Sequence, residues 1–222
     1  MAKKLALIHT SATLVPVFQN LTRKYLQDLS VRTFNIVDDS LLQNTIDQNE
    51  LSPLTCRRVI NYVASAEEAG ADFVMVTCSS IGPAVDMAAS LTPVPVFRVD
   101  QPMADEAIRL GRKIGVIATL FTTLGPTRDL VRRRAEAAGK TVKLNAKLCD
   151  GAFEALMGGA TKKHDQMVAD ALRTLGREVD VIVLAQASMA RVVNQLTDKD
   201  KKVPILSSPE LAMRYLADTL QD

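Results

Sequence analysis

Apolar residues along the chain fall into short continuous runs, separated by longer stretches in which they recur every three or four positions. The runs Leu5 to Ile8, Arg32 to Val37, Phe73 to Val76, Val94 to Arg98, Ile114 to Ala118, Val142 to Leu148, Val181 to Leu184 and Val203 to Leu206 predict strands. Between them, Leu14, Phe18, Leu21 and Tyr25 share one face of a helix, and Val59, Ile60, Val63 and Ala66 share another that Gly70 would stop. Regular alternation of this kind predicts an α/β fold, in which crossover helices join parallel strands.

The pattern also occurs twice. Lys4-Leu-Ala-Leu-Ile-His-Thr10 parallels Lys113-Ile-Gly-Val-Ile-Ala-Thr119, and Ala71-Asp-Phe-Val-Met-Val-Thr-Cys-Ser-Ser-Ile81 parallels Val179-Asp-Val-Ile-Val-Leu-Ala-Gln-Ala-Ser-Met189. The two offsets, 113 − 4 = 109 and 179 − 71 = 108, nearly agree. Two similar halves follow: two pseudosymmetric, doubly wound parallel-sheet lobes, residues 1–100 with 204–222 and residues 101–203. Ligands of such folds bind outside the carboxyl ends of the strands, so the active site is expected in the cleft between the lobes. Cys78 and Gln186 would hold equivalent strand ends there.

Composition narrows the chemistry. With 27 basic against 25 acidic residues and a formal net charge of +2, the chain has no field that would gather phosphate backbones, so nucleic acid is not an expected partner. No apolar run approaches the roughly 20 residues that span a bilayer, so no membrane association is expected. Met1-Ala-Lys-Lys-Leu-Ala-Leu-Ile-His-Thr10 is too weakly apolar for a signal peptide, and three cysteines, an odd number, then suggest reduced thiols and a cytoplasmic location. Two histidines leave few ligands for a zinc site, and no metal is expected.

Of the three thiols, Cys78 has the most distinctive setting. It ends a strand, Ser79 and Ser80 are placed to cap a following helix, and Pro83 suits that helix's first turn. A thiol beside a helix N-terminus is biased toward thiolate, and the same amides and hydroxyls form a socket for a carboxylate. Packing a cysteine into the core is common too, but Thr77-Cys-Ser-Ser80 is a polar place to do so. Cys56 reads as structural, His164 as a surface residue, and Arg128, Arg132, Arg133 and Arg134 as a solvated helix face.

These motifs, in this order, resemble the aspartate/glutamate/hydantoin racemase family over essentially the whole chain. Thr77-Cys78-Ser79-Ser80 fits the first family cysteine, which small polar residues follow. Ala118-Thr119-Leu120-Phe121-Thr122 fits the family's Ala/Gly-Thr-x-x-Thr loop. Val94-Pro-Val-Phe-Arg-Val-Asp-Gln-Pro-Met103 suits the crossing between lobes. The resemblance implies an enzyme with two α/β lobes, no cofactor, and a small carboxylate substrate such as an amino acid, a hydantoin or a dicarboxylate. In it, one thiolate removes the proton next to the carboxylate and a second thiol returns one to the opposite face. The resemblance also implies a homo-oligomer, with Ser11, Ser79, Ser80, Thr119, Thr122, Ala187 and Ser188 as substrate-binding residues.

The second family cysteine has no counterpart here. That segment reads Ala185-Gln186-Ala187-Ser188, and an amide cannot ionise. Two-sided racemisation needs an acid/base group on each face. Three readings stay open. His9, at the end of the first strand, or Cys149 could serve the second face. Alternatively, Cys78 could work alone, as the acid in a decarboxylation or the nucleophile in a cis-trans isomerisation, with Gln186 orienting the substrate. Finally, the fold could bind a small carboxylate without turnover.

Overall fold

The protein, a computed structural model that describes residues 2–221, divides into two compact units, Met1–Asp100 with Pro209–Asp222, and Gln101–Ser208. In the first unit, β1 (Lys3–His9), β2 (Val31–Val37), β3 (Phe73–Val76) and β4 (Val96–Arg98) form a parallel sheet in the order β2-β1-β3-β4. In the second, β5 (Lys113–Ala118), β6 (Lys143–Leu148), β7 (Val181–Leu184) and β8 (Ile205–Ser207) repeat that order as β6-β5-β7-β8. All eight expected strands are present, and the shared topology makes the two units pseudosymmetric α/β lobes.

Strand alternation accounts for the layering of the first unit. Ala6, Ile8, Val74 and Val76 point to one face, where α2 (Ser40–Asp47), α3 (Pro53–Glu68) and α4 (Gly82–Ala89) cover them with Leu41, Val59, Val63, Ala84 and Ala88. Leu5, Leu7 and Met75 point the other way, onto Phe18 and Leu26 of α1 (Leu14–Leu26) and Ala212, Met213 and Leu216 of α10 (Ser208–Gln221). In the second unit, Ile117, Ile182 and Leu184 pack against α8 (Thr161–Leu175), α7 (Ala152–Met157) and α9 (Ala190–Gln195), while α5 (Gln101–Leu110) and α6 (Phe121–Ala137) pack against β5 and β7. Gly115 lets α8 close onto β5, since a Cβ there would stand 2.7 Å from Leu175 Cδ2.

An aspartate repeated at the same place explains why the two halves read alike. The Asp72 carboxylate accepts the Lys4 N–H at 2.7 Å, and Lys4 O accepts the Asp72 N–H at 2.8 Å. Asp180 does the same one unit later, accepting the N–H groups of Arg112 and Lys113 at 2.9 and 2.8 Å while its own N–H reaches Lys113 O at 2.7 Å. Each aspartate thereby sets the register of a central strand pair before the apolar run begins.

Several expectations are corrected. Strands β4 and β8 begin two residues later than the apolar runs, because Pro95 and Pro204 bring carbonyls but no N–H; those carbonyls accept from Val74 and Ile182 at 3.0 and 2.9 Å. Since β8 pairs with β7, residues 205–207 belong to the second sheet, and the chain returns to the first unit at Pro209 instead of 204. His164 is not on the surface: it is wholly buried on α8, with Nδ1 2.8 Å from Asp165 Oδ1. Arg134 is not merely solvated, because it forks onto Asp105 at 2.6 and 2.9 Å. Among the described residues no helix is long and apolar enough to cross a membrane, and no group of three or more His, Cys, Asp or Glu is placed to hold a metal ion.

One buried charge stands out in the first unit. Arg98, 3% exposed at the end of β4, forks onto Asp100 at 3.0 and 2.9 Å and reaches Asp86 of α4 at 2.8 Å. Burial opposes the guanidinium's charge, but the Asp100 and Asp86 carboxylates more than offset it, and its pKa lies above the ordinary value. Its plane lies so close to the start of α4 that a Cβ on Gly82 would stand 2.2 Å from Nη2. Replacing Arg98 by Met strands the Asp100 carboxylate in the interior and should cost about 3–5 kcal/mol in urea unfolding. The double variant Arg98→Met/Asp100→Asn should recover part of that loss.

Candidate active site

In both sheets the chain runs from the first strand outward to one neighbour and then returns to the other side. Each sheet therefore has a switch point, between β1 and β3 in the first unit and between β5 and β7 in the second, and open α/β sheets bind ligands at such points. His9 ends β1 and Cys78 follows β3 at the first. Thr119 and Gln186 follow β5 and β7 at the second.

The two points share one backbone plan. Thr77 N–H donates to Ile8 O and Ala185 N–H to Ile117 O, each at 2.9 Å. The next residue is extended in both units, Cys78 at φ −130°, ψ 121° and Gln186 at φ −134°, ψ 136°. Each then enters a single 3₁₀ turn, Ser79–Ile81 or Ala187–Met189, that leads into α4 or α9. Cys78 and Gln186 are thus positional equivalents, and only one of them can ionise. The expected capping does not occur: Ser79 and Ser80 lie inside the 3₁₀ turn, both buried, and neither that turn nor α4 has a side-chain cap. Three residues, Ser79 to Ile81, separate Cys78 from Gly82 at the start of α4, because the turn intervenes.

Cys78 and Cys56 are both half-buried, and Cys149 is buried. Burial pushes the Cys56 thiol up, and it pushes Cys149 up to about 11, with the nearby Lys147 charge too weak to offset it. Cys149 N–H donates to Ala118 O at 2.8 Å, as Asp38 N–H donates to His9 O at 3.0 Å, so Cys149 and Asp38 match each other at the ends of the outer strands. Asp38 is heavily engaged. Burial raises its pKa, but contacts from the Ser40 N–H and hydroxyl, Tyr62 Oη at 2.6 Å and the Arg58 guanidinium outweigh this and hold it below the ordinary carboxylate range.

His9 is wholly buried and packs its ring 5.6 Å from Phe18. Nε2 lies 2.9 Å from Asn35 Oδ1 and Nδ1 lies 2.8 Å from Thr77 Oγ1. Burial lowers its pKa more than the Asn35 contact raises it, so the ring is neutral near pH 7. With the proton on Nε2, toward Asn35 Oδ1, the single Thr77 hydroxyl proton lies between Nδ1 at 2.8 Å and Ile8 O at 3.2 Å. Asn35 and Thr77 escape sequence reasoning, since nothing in an edge-strand asparagine marks it as the partner of a histidine 26 residues away. Ser11, half-buried, shares a hydrogen bond with Thr13 Oγ1 at 2.8 Å.

At the other switch point, Gln186 Oε1 accepts from both the backbone N–H of Thr119 at 2.6 Å and its hydroxyl at 3.0 Å. Thr122, in the first turn of α6, is buried and its hydroxyl has no partner among the described residues. Ala187 is half-buried and Ser188 exposed.

The state of His9 has a consequence for stability. The unfolded ring takes up a proton near pH 6.5, while the folded ring resists until lower pH, so the unfolded state binds more protons in that window. Stability is therefore fully present above about pH 6.5 and declines as the pH falls below it. His9→Gln should be less stable at pH 8 in urea unfolding and should lose part of the wild-type decline between pH 6.5 and 5.

Solved structures with this fold cover almost the whole chain. A glutamate racemase isoform of Bacillus anthracis superposes with a TM-score of 0.70 at 19% identity, covering 99% of this chain and 82% of that one. An aspartate racemase of Picrophilus torridus gives 0.72 at 15% identity, covering 99% and 94%. An allantoin racemase of Klebsiella pneumoniae gives 0.65 at 17% identity, covering 99% and 87%. No curated protein sequence matches the chain. A sequence model of the Asp/Glu/hydantoin racemase family matches residues 2–216, and on that match the protein belongs to the Asp/Glu/hydantoin racemase family.

Proposed function

We propose that the protein is a cofactor-independent enzyme of the isomerase class, acting at the carbon next to a carboxylate of a small acid. The substrate is an amino acid, a hydantoin or a dicarboxylate, with aspartate, glutamate and allantoin the first compounds to try, given the structural relatives. Cys78 is the acid/base or nucleophile. One observation carries the reading: at two switch points of the same backbone plan, Cys78 is the ionisable residue of the equivalent pair.

Other residues take supporting roles in this reading. His9 is closed on both nitrogens, so it acts by holding Thr77, the residue next to Cys78, and exchanges no proton. The hydroxyls of Ser11 and Thr122 and the segments Ser79–Ser80 and Ala187–Ser188 bind the substrate, and Gln186 orients its carboxylate. Because Gln186 has no proton to lose, a one-thiol reaction of the same frame is the second reading. A decarboxylation ending in protonation by Cys78, or a cis-trans isomerisation through a Cys78 adduct, satisfies it.

Two measurements test the proposal. Iodoacetamide at pH 7.5, followed by peptide mass spectrometry, should modify Cys78 ahead of Cys56 and Cys149, and aspartate, glutamate or a hydantoin should protect it. In deuterium oxide, the same compound should take up deuterium next to its carboxylate, and Cys78→Ala should slow uptake by about 10²–10⁴-fold. A Cys78 that reacts last, with no compound protecting it, would leave a protein that binds small carboxylates or nothing of this class.

A further inference from the structure

The contact between Thr119 and Gln186 carries more than a structural tie. A backbone N–H can only donate, so the Gln186 atom 2.6 Å from Thr119 N is the carboxamide oxygen, and the Thr119 hydroxyl, at 3.0 Å, donates to that same atom. The amide's polarity is thereby fixed: oxygen inward, on Thr119, and NH₂ outward. Among the described residues Nε2 has no partner, and Gln186 is half-buried, so two N–H donors are offered from a side chain already held at its other end. A pre-oriented donor loses little freedom on binding an anion, and two N–H groups suit a carboxylate or the enediolate that grows from it.

We infer that Thr119 is a positioning residue that locks Gln186 as a fixed NH₂ donor to the substrate's carboxylate, so that the end of β7 binds charge and moves no proton. This rests on the carboxylate reading proposed above and deepens it. Proton transfer on this face is left to Cys78: the proton leaves carbon for the thiolate sulfur, the C–H electron pair moves into the carboxylate as an enediolate, and the thiol, its proton exchanged with solvent, re-forms the C–H bond on the same face with a solvent-derived proton. In this arrangement both donors of Thr119 are committed to Gln186, so Thr119 acts on the ligand through Gln186.

The test is isosteric. Gln186→Glu keeps the shape and keeps an oxygen for Thr119, but turns the outward group from a donor into a negatively charged acceptor. In the Cys78→Ala protein labelled with ¹⁵N in glutamine side chains, malonate should move the Gln186 NH₂ resonances saturably. Gln186→Glu should weaken malonate by about 100-fold, and Thr119→Val by about 10-fold, as expected for hydrogen bonds to a charged group. Thr119→Ser should restore the wild-type response, which a purely structural role for the methyl group would not allow. Malonate that shifts the 119–123 backbone while leaving the Gln186 NH₂ still, or that binds Gln186→Glu as tightly as wild type, overturns the lock but keeps the carboxylate reading. If neither malonate nor L-aspartate moves any resonance of residues 78–82, 119–123 or 186–189, the carboxylate reading falls and the lock with it.

Discussion

A guanidinium with almost no access to water has to be neutralised where it stands, and Arg98 organises the first unit around that requirement. Its fork onto Asp100 fixes the segment after β4, its third contact reaches Asp86 on α4, and its flat face is what forbids a side chain at Gly82. These groups flank the turn that Cys78 enters. Replacing the cluster with apolar residues of equal volume need not destabilise the fold, since desolvation absorbs most of what such pairs gain. What the cluster supplies is definition: a fork with two parallel hydrogen bonds tolerates little displacement, so the turn between β3 and α4 has one position.

The second organising element is duplicated. Asp72 and Asp180 brace the start of each central strand pair, and carbonyls of Ile8 and Ile117 brace its end. A strand fixed at both ends delivers its following residue to one place, which is why Cys78 and Gln186 reach the same backbone conformation with different chemistry. The frame is indifferent to what it presents. Side chains beyond the frame decide the rest, Thr77 with His9 in one unit and Thr119 with Gln186 in the other.

Much of this was legible in the order of residues, for identifiable reasons. Central parallel strands are continuous apolar runs, and the outer strands, though more exposed, still carry apolar residues at alternate positions, so all eight could be located, and the repeated aspartate made the duplication visible. Strand starts were misjudged at Val94 and Val203 because apolar character says nothing about a missing N–H at the following proline. The same limit hid the 3₁₀ turn: Ser79 and Ser80 have the chemistry of caps, but the chain makes a tighter turn first and leaves α4 to begin at Gly82. His164 was misplaced because Lys162, Lys163 and Asp165 around it are polar, whereas one helical position in that stretch faces inward, in line with Val168 one turn on. Contacts such as His9 with Asn35 are set by strand pairing and have no local signature.

Cys149 shows why position outranks residue type at these sheet ends. It follows an outer strand, as Asp38 does, but apolar neighbours and 5% exposure push its thiol up to about 11, a range in which almost no thiolate exists at neutral pH. Asp38, at the matching place, is held below the ordinary carboxylate range because the contacts from Ser40, Tyr62 and Arg58 outweigh its burial. Among the described residues that directly follow β5 and β7, which are Thr119, Leu120, Ala185, Gln186, Ala187 and Ser188, none ionises near neutrality. An anion brought to that end of the second unit meets dipoles alone, and dipoles held in advance stabilise charge without trading protons. Of the equivalent pair Cys78 and Gln186, therefore, only the residue in the first unit can ionise.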